Sequence, residues 1–349
     1  MNWFKDKRIN LDHASGGENP SAIYKEGVEV KKKLEDARTK IARVLAVQSR
    51  DIVFTSGGTE ADNLALLGVF EAHRRKDLIP HFIISSLEHS AITKCAEEIV
   101  RRGGEVSIVE ADENAHINPQ EVLKEIKANT ILVSIILASA EVGTIQPVHK
   151  ISRLINEYKK KNETNFPYLH TDASQAGNFL SLQTTSLGVD MMTLDATKVG
   201  GPKGTGLLVV RPNVTLVPIV FGGGQERGLR AGTENVCAIV EFAEAFEQTQ
   251  KNREKESERL FELKNYFVEE IKINLPSVQI NGVEGETLPN IVSLTFPDQL
   301  AEFVALKLDK MGVMVSVGSS CNSNKKTEES NAVRFSFGKE TNKKDLEKT

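Results

Sequence analysis

Short β-branched runs alternate with amphipathic stretches along most of this chain, and that alternation restricts the architecture more than any single residue does. DIVFTS (51–56) is followed by a helical pattern from about Thr59 to Arg74, and HFIISS (81–86) by one from about Ser90 to Arg102. EVSIVE (105–110) then precedes PQEVLKEIK (119–127). A strand–helix–strand succession of this kind marks a largely parallel sheet covered by helices. It continues through TILVSIIL, the helical HKISRLINEYKKK, PYLHTD, VDMMTLD and GLLVVRP, so Leu11 to Val220 reads as one α/β domain. A charged segment from about Asn235 to Ile273 carries Phe242, Phe246, Leu260, Leu263, Phe267 and Ile271 at roughly helical spacing. Beyond it, NIVSLTF, a helix around Ala301 to Lys310, VMVSVG and AVRFSFG suggest a smaller α+β domain.

With 349 residues, 40% of them hydrophobic, the chain can bury a substantial core. Its 44 Lys+Arg against 48 Asp+Glu leave a net charge of -4, which creates no field that would gather nucleic acid or an anionic membrane. The most apolar run, Ile131 to Ala140, falls short of the roughly 20 residues that cross a bilayer, and MNWFKDKRINLDH lacks an apolar signal core. A cytoplasmic location is the expectation. Three scattered cysteines, Cys95, Cys237 and Cys321, form neither a disulfide framework nor a CxxC metal site, so no metal is expected.

TSGGTEADNLAL (55–66) places a strand end, two glycines and Thr59 directly before a helix. Amides at such a helix start, with its dipole, make an anion site; a capped turn is the plainer alternative. GGPKGTG (200–206) and GGGQERGLRAGTEN (222–235) match neither a Walker loop nor GxGxxG. Two strand ends carry Asp172 and Gln175 in HTDASQA and Lys198 in LDATKVGG. An acid and a lysine on neighbouring strand ends fit a pyridoxal phosphate site, where the lysine attaches the cofactor and the acid keeps the pyridine nitrogen protonated. As bare residues they fit an ordinary ion pair equally well.

Taken together and in order, the motifs resemble the class V aminotransferase-like family, and within it the NifS/IscS-like cysteine desulfurases. The resemblance runs from LDHAS (11–15) through IVFTSGGTEADNLA, EHSA (88–91), EVGTIQP, TDASQA, TKVGGPKGTG, GGGQERGLRAGTEN and SVGSSC to RFSFG (334–338). It implies the fold type I architecture of pyridoxal 5'-phosphate enzymes, an α/β class with a mostly parallel sheet. Residues 12–250 would form the large domain; 1–11 and 251–349 would form a shortened small one.

The same resemblance implies roles. Lys198 would hold the cofactor and move the substrate's α-proton. Asp172 would face the pyridine nitrogen and Gln175 the phenolic oxygen. His89 would stack on the ring and exchange protons. Gly58, Thr59 and Thr197 would hold the phosphate. Arg230 and Thr233 would complete the phosphate pocket of a partner subunit, unless this segment simply caps the following helix through Thr233. Arg334, with His13, would bind the substrate carboxylate, for which a guanidinium fork is suited. Cys321 would take the sulfur of L-cysteine as a persulfide and release L-alanine, feeding iron–sulfur cluster or thiolation pathways. Cys95 and Cys237 are expected to be inert core residues. A homodimer and a scaffold or other sulfur-acceptor protein are the implied partners.

Several positions depart from the family pattern. Asp195 and Thr197 stand where relatives carry a hydroxyl residue and a histidine, Ala140 replaces an asparagine, and Gln225 a histidine. A carboxylate about 4 Å from a phosphate costs on the order of 4 kcal/mol at an effective dielectric near 20. Asp195 is therefore expected to turn away, to pair with a cation such as Lys203, or to mark a weakened cofactor site. Cys321 and Arg334 are closer in sequence than is usual, and the chain after RFSFG is short. Two other readings stay open: a different lyase or aminotransferase, such as a selenocysteine lyase, and a cofactor-poor scaffold in sulfur transfer.

Overall fold

The central strands are buried along nearly their whole length because helices cover both faces of the sheet they form. The computed structural model describes residues 9–16, 19–75, 78–282, 285–318 and 332–349. Its larger sheet comprises β1 (Ile52–Thr55), β2 (His81–Ser85), β3 (Glu105–Val109), β4 (Thr130–Ser134), β5 (Tyr168–Asp172), β6 (Met191–Asp195) and β7 (Gly206–Val210). The spatial order is β1-β7-β6-β5-β4-β2-β3, parallel from β3 through β6, with β7 antiparallel to both its neighbours.

Helices α1 (Lys25–Leu45), α2 (Gly58–His73), α3 (Ser90–Arg101), α4 (Pro119–Lys124), α5 (Val148–Lys161), α6 (Thr184–Leu187) and α7 (Val236–Asn274) surround it. The strand period of two sorts side chains between the layers. Ile52 and Phe54 enter the core shared with Leu34 and Ile41 of α1, Ile151 of α5 and Phe242 of α7. Val53 enters the opposite core with Leu64 and Phe70 of α2 and Ile92 of α3. Each such side chain contributes about 1.5–3 kcal/mol by leaving water. The strands and helices expected from the sequence are all present; the longest addition is α1. Its apolar Val30, Leu34, Ala37, Ile41 and Leu45 recur at helical spacing within a run of charges that masks them.

A second, antiparallel sheet holds β8 (Gln279–Asn281), β9 (Ile291–Thr295), β10 (Ser316–Val317) and β11 (Ala332–Ser336), in the order β10-β11-β9-β8. It is flanked by α8 (Ala301–Lys310) and α9 (Lys343–Lys348). Helix α7 joins the two cores: Phe242 and Phe246 pack in the large one, Leu260 and Phe267 with Leu294, Val333 and Phe335 in the small one. Backbone bonds from Ile145 N to Glu286 O (2.9 Å) and Leu288 N to Gly143 O (2.7 Å) also stitch the small sheet to the loop after β4.

Edge strand β1 is closed by side chains instead of another strand. Glu226 Oε2 accepts from Phe54 N at 2.8 Å, and Arg38 donates to Ile52 O at 3.0 Å. The two side chains meet in a fork, at 2.8 and 2.7 Å, both almost fully buried. Glu226 and Arg227 adopt left-handed backbone angles to make this contact, with φ of 46° and 59°. Removing one partner leaves a buried, uncompensated charge. Glu226→Ala is expected to lower unfolding stability by about 3–5 kcal/mol, read by urea denaturation; a loss within 1 kcal/mol or so would show the pin to be dispensable.

Candidate active site

Strands β1, β2, β4, β5 and β6 all end on one edge of the sheet, and β7 begins there. Ligands of open α/β sheets bind outside such carboxyl ends. Thr55, Gly206 and Asp195 share one rung across β1, β7 and β6. From Thr55 the chain turns through Gly57, at φ 153°, into the first residue of α2, Gly58. The turn lies directly on β7: a Cβ on Gly206 would stand 2.7 Å from the Gly57 carbonyl carbon. The last glycine of GGPKGTG thus serves close packing of this turn.

The helix start is already engaged. Asp195 Oδ2 accepts from Gly58 N at 2.9 Å, and Oδ1 accepts from Thr197 N and Oγ1 at 2.8 and 2.5 Å. Asp195 therefore neither turns away nor pairs with Lys203. It caps α2 and also the 3-10 turn 196–199 that carries Lys198. Thr197, expected on the phosphate, directs its hydroxyl at Asp195. On the outer side of the same helix start, Glu60 accepts from Ser56 N at 2.8 Å and from Arg230 Nε at 2.9 Å. Burial works to raise the Glu60 pKa, but the Arg230 and Ser56 donors outweigh it and hold it below the ordinary value.

Asp172 ends β5, buried, with Oδ1 accepting from Ser174 N at 2.9 Å. Burial raises its pKa against the lowering effect of Ser174 and of nearby His89, and Asp195 adds a like charge. His89 caps α3, its Nδ1 accepting from Ala91 N at 3.2 Å, so in the neutral ring the proton sits on Nε2. Behind Asp172, His170 is driven down to a pKa of about 3 by burial and stays neutral between Ser134 and Thr193. Asp62 lies 3.8 Å from it, pushed well above the usual carboxylate range by burial and by the charge of Asp172. Glu88, whose Oε1 accepts from Ser85 Oγ (2.5 Å) and Ile136 N (2.7 Å), keeps a buried Oε2 with no hydrogen bond. Burial pushes its pKa up to about 8.

Lys198 follows β6 with its side chain exposed. Its backbone is fixed by residues the sequence reading passed over: Asn178 Nδ2 donates to Lys198 O, and Thr249 Oγ1 donates to Val199 O at 3.1 Å. Gln250 of α7 ties down the adjoining segment through Gly177 O (2.7 Å) and Leu180 O (2.9 Å). Gln175 is half-buried in the 3-10 turn 174–176. Polar residues at helical spacing among the apolar face of α7 were the only signal of this support.

Arg334, on β11, reaches across to the loop after β4 and donates to Ala140 O at 2.9 Å, with a buried Nε that makes no hydrogen bond. Ala140 thus meets Arg334 through its backbone carbonyl. Cys321 lies outside the described residues, as do residues 322–331. Cys95 is buried, and burial raises its thiol pKa to about 12, as befits an inert core residue. Cys237 is exposed near the start of α7, so the expectation that it belongs to the core is corrected. Thr233 is exposed, and the cap of α7 is Asn235, accepting from Ala238 N at 3.2 Å, instead of Thr233. His13 lies exposed in the 3-10 turn 13–15 and makes no hydrogen bond to the other site residues among the described ones.

This set fits pyridoxal phosphate at its ring end. A buried carboxylate whose pKa burial has raised calls for a cationic partner such as a protonated pyridine nitrogen, and Asp172 is such a group. A lysine and an imidazole flank it on the neighbouring strand and helix ends.

Residues 10–349 match the family model described as Aminotransferase class-V, and the chain belongs to that family. It is 36% identical over 345 residues to a cysteine desulfurase IscS of Dictyoglomus turgidum, covering 95% of this chain and 85% of that protein. A cysteine desulfurase IscS of Methanosarcina thermophila is 37% identical over 305 residues, 87% of this chain and 73% of its own length. Among solved structures, a NifS-like protein superposes with a TM-score of 0.87 at 30% identity, covering 97% of this chain and 93% of that one. DndA from Streptomyces lividans follows at 0.77 and 30% identity, covering 93% of each chain. The fold is that of the pyridoxal phosphate-dependent enzymes of fold type I.

Glu88 generates a pH prediction. Its carboxyl holds a proton in the folded protein up to about pH 8 but releases it near 4.5 when unfolded, so the folded state binds more protons in that window and loses stability as pH rises through it. Glu88→Gln removes this loss. Relative to wild type, its unfolding stability is expected to climb between about pH 5 and about pH 8 by on the order of 4 kcal/mol. Parallel urea-denaturation profiles for the two proteins would contradict the assignment.

Proposed function

We propose that this chain is a pyridoxal phosphate-dependent cysteine desulfurase that moves the sulfur of L-cysteine onto Cys321 and releases L-alanine. The observation that supports it most is the convergence of Asp172, Lys198, His89 and the Gly58 amide on one sheet edge, in a chain whose relatives are cysteine desulfurases.

The cofactor, when bound, supplies an electron sink for the carbon skeleton of the substrate. Asp172 would keep a positive charge on its ring nitrogen, and Gln175 would hold the ring from the neighbouring 3-10 turn. Arg334 takes the substrate carboxylate; Nε has an unused donor for it, and the hydrogen bond to Ala140 O fixes the fork. Lys198, exposed just after β6, moves the α-proton of the substrate. The thiolate of Cys321 attacks the substrate sulfur: an S–S bond forms, the C–S bond breaks, and its electron pair remains with the β-carbon. That carbon then takes a proton, with His89 as the nearby donor, to give the methyl group of alanine. A sulfur-acceptor or iron–sulfur scaffold protein would discharge the persulfide.

The proposal includes a division into domains near residue 250, a cytoplasmic location and a homodimer. Exposed Ile23, Val28 and Phe221 offer apolar surface for the dimer, and Arg230 and Thr233 lie on the loop that would reach the partner's site. A second reading, a cofactor-poor scaffold, draws on one observation, the Asp195 carboxylate at the α2 start.

Cys321→Ala is expected to abolish sulfide release and alanine formation from L-cysteine plus a thiol, while the visible absorbance of bound cofactor persists. Alanine formation that survives would move the protein to another lyase class, and no cofactor absorbance in either protein would favour the scaffold. Arg334→Lys is expected to raise KM for cysteine about ten- to a hundredfold, through loss of one to two charge-assisted bonds, with a smaller change in kcat. An unchanged KM would place carboxylate recognition elsewhere.

A further inference from the structure

We propose that Asp195 sets the cofactor selectivity of this site: its carboxylate takes the Gly58 amide that a phosphate ester would use, and so lowers the preference for a phosphorylated pyridoxal over an unphosphorylated one. The inference rests on the pyridoxal phosphate reading above and extends it to how this chain holds the group.

The geometry leaves the Asp195 carboxylate little freedom. Both of its oxygens are engaged, one on Gly58 N at 2.9 Å and the other on Thr197 N and Oγ1 at 2.8 and 2.5 Å. It lies against the glycine pair itself: a Cβ on Gly57 would stand 3.2 Å from Oδ2, and one on Gly58 3.4 Å from the Asp195 Cβ. The buried Ser174 Oγ stands on the same side, 3.3 Å from the place of a Gly58 Cβ and without a hydrogen bond. An anion entering at the α2 start would therefore find Ser174 Oγ close by but the first amide taken.

The chemistry of the side chain matters as much as its position. A hydroxyl residue here would donate to a phosphate oxygen, whereas a carboxylate only accepts and adds a like charge. Phosphate binding at this helix start is thus an exchange of one anion for another. The bonds of Oδ1 to Thr197 can persist while Oδ2 releases Gly58, so the exchange need not uncap the turn that carries Lys198. The ring end, with Asp172 and Lys198, is untouched by this competition and treats both aldehydes alike. The cost falls on the phosphate alone.

The test measures equilibrium binding of pyridoxal 5'-phosphate and of pyridoxal to full-length wild type, Asp195→Ser and Asp195→Asn. Borohydride reduction and mass spectrometry then locate the adduct at Lys198. The tendency of pyridoxal to close on itself as a hemiacetal cancels in the comparison between variants. Asp195→Ser is expected to raise the ratio of pyridoxal Kd to pyridoxal phosphate Kd about ten- to a thousandfold, through tighter binding of the phosphate form only. Asp195→Asn, which keeps one oxygen for one of the two caps and removes the charge, is expected to fall between, and reports the same ratio should the serine variant fold poorly. An unchanged ratio, with both aldehydes bound at Lys198, overturns the inference and leaves the cofactor reading standing. Absence of any adduct at Lys198 from either aldehyde in every protein overturns both.

Discussion

Strand β7 enters the sheet at Gly206, where the turn before α2 presses so closely on the backbone that a single added carbon would collide with Gly57 and with Leu194 O. That approach sets the α2 start on the carboxyl edge beside β6. From it follow the position of the Gly58 amide, the reach of Asp195 and the shared rung that joins β1, β7 and β6. The edge itself is held from outside by the buried fork of Arg38 and Glu226, which bonds to both Ile52 O and Phe54 N and fixes the loop bearing Arg230. Packing without a side chain and a buried ion pair thus cooperate: one brings the helix in, the other stops the strand it follows from fraying.

The site assembled there is rich in acids. Asp62, Glu88 and Asp172 are all buried within one another's fields, and burial raises the pKa of each. The neutral His170 does nothing to balance them. Such a cluster is poorly satisfied in the protein alone, and a cationic ring nitrogen beside Asp172 would relieve it. Asp195 sets its carboxylate at the α2 start, where the proposed phosphate would meet a like charge. Under that proposal, cofactor ring and cofactor phosphate would meet opposite electrostatics within one site.

Much of this was legible beforehand. Short apolar strands and amphipathic helices have periods that survive any tertiary arrangement, which is why β1, α2, β5, α5, α7 and β11 were found close to their observed limits. Helix α1 was missed because its charged residues conceal a regular apolar face that only the packed partner makes obvious. Asn178, Thr249 and Gln250 carry no motif, since they act on backbone carbonyls that sequence does not specify. Cys237 was misplaced because apolar neighbours in sequence lie on a different helix face from the cysteine itself.

The sequence by itself determined the alternation of strands and helices, the glycines where the chain must pass closely or turn, and the chemical identities of Lys198, Asp172, His89, Cys321 and Arg334. These are local properties: period, backbone freedom and functional group. What only the tertiary structure decided is which groups face each other. Asp195 was an anomaly with three possible outcomes until the shared rung brought it within 2.9 Å of Gly58 N, a residue 137 positions away. Ala140 was a lost contact until its carbonyl met Arg334. Hydrogen bonds across such separations depend on strand order and on the distance between backbones, and neither is written in any one segment of the chain.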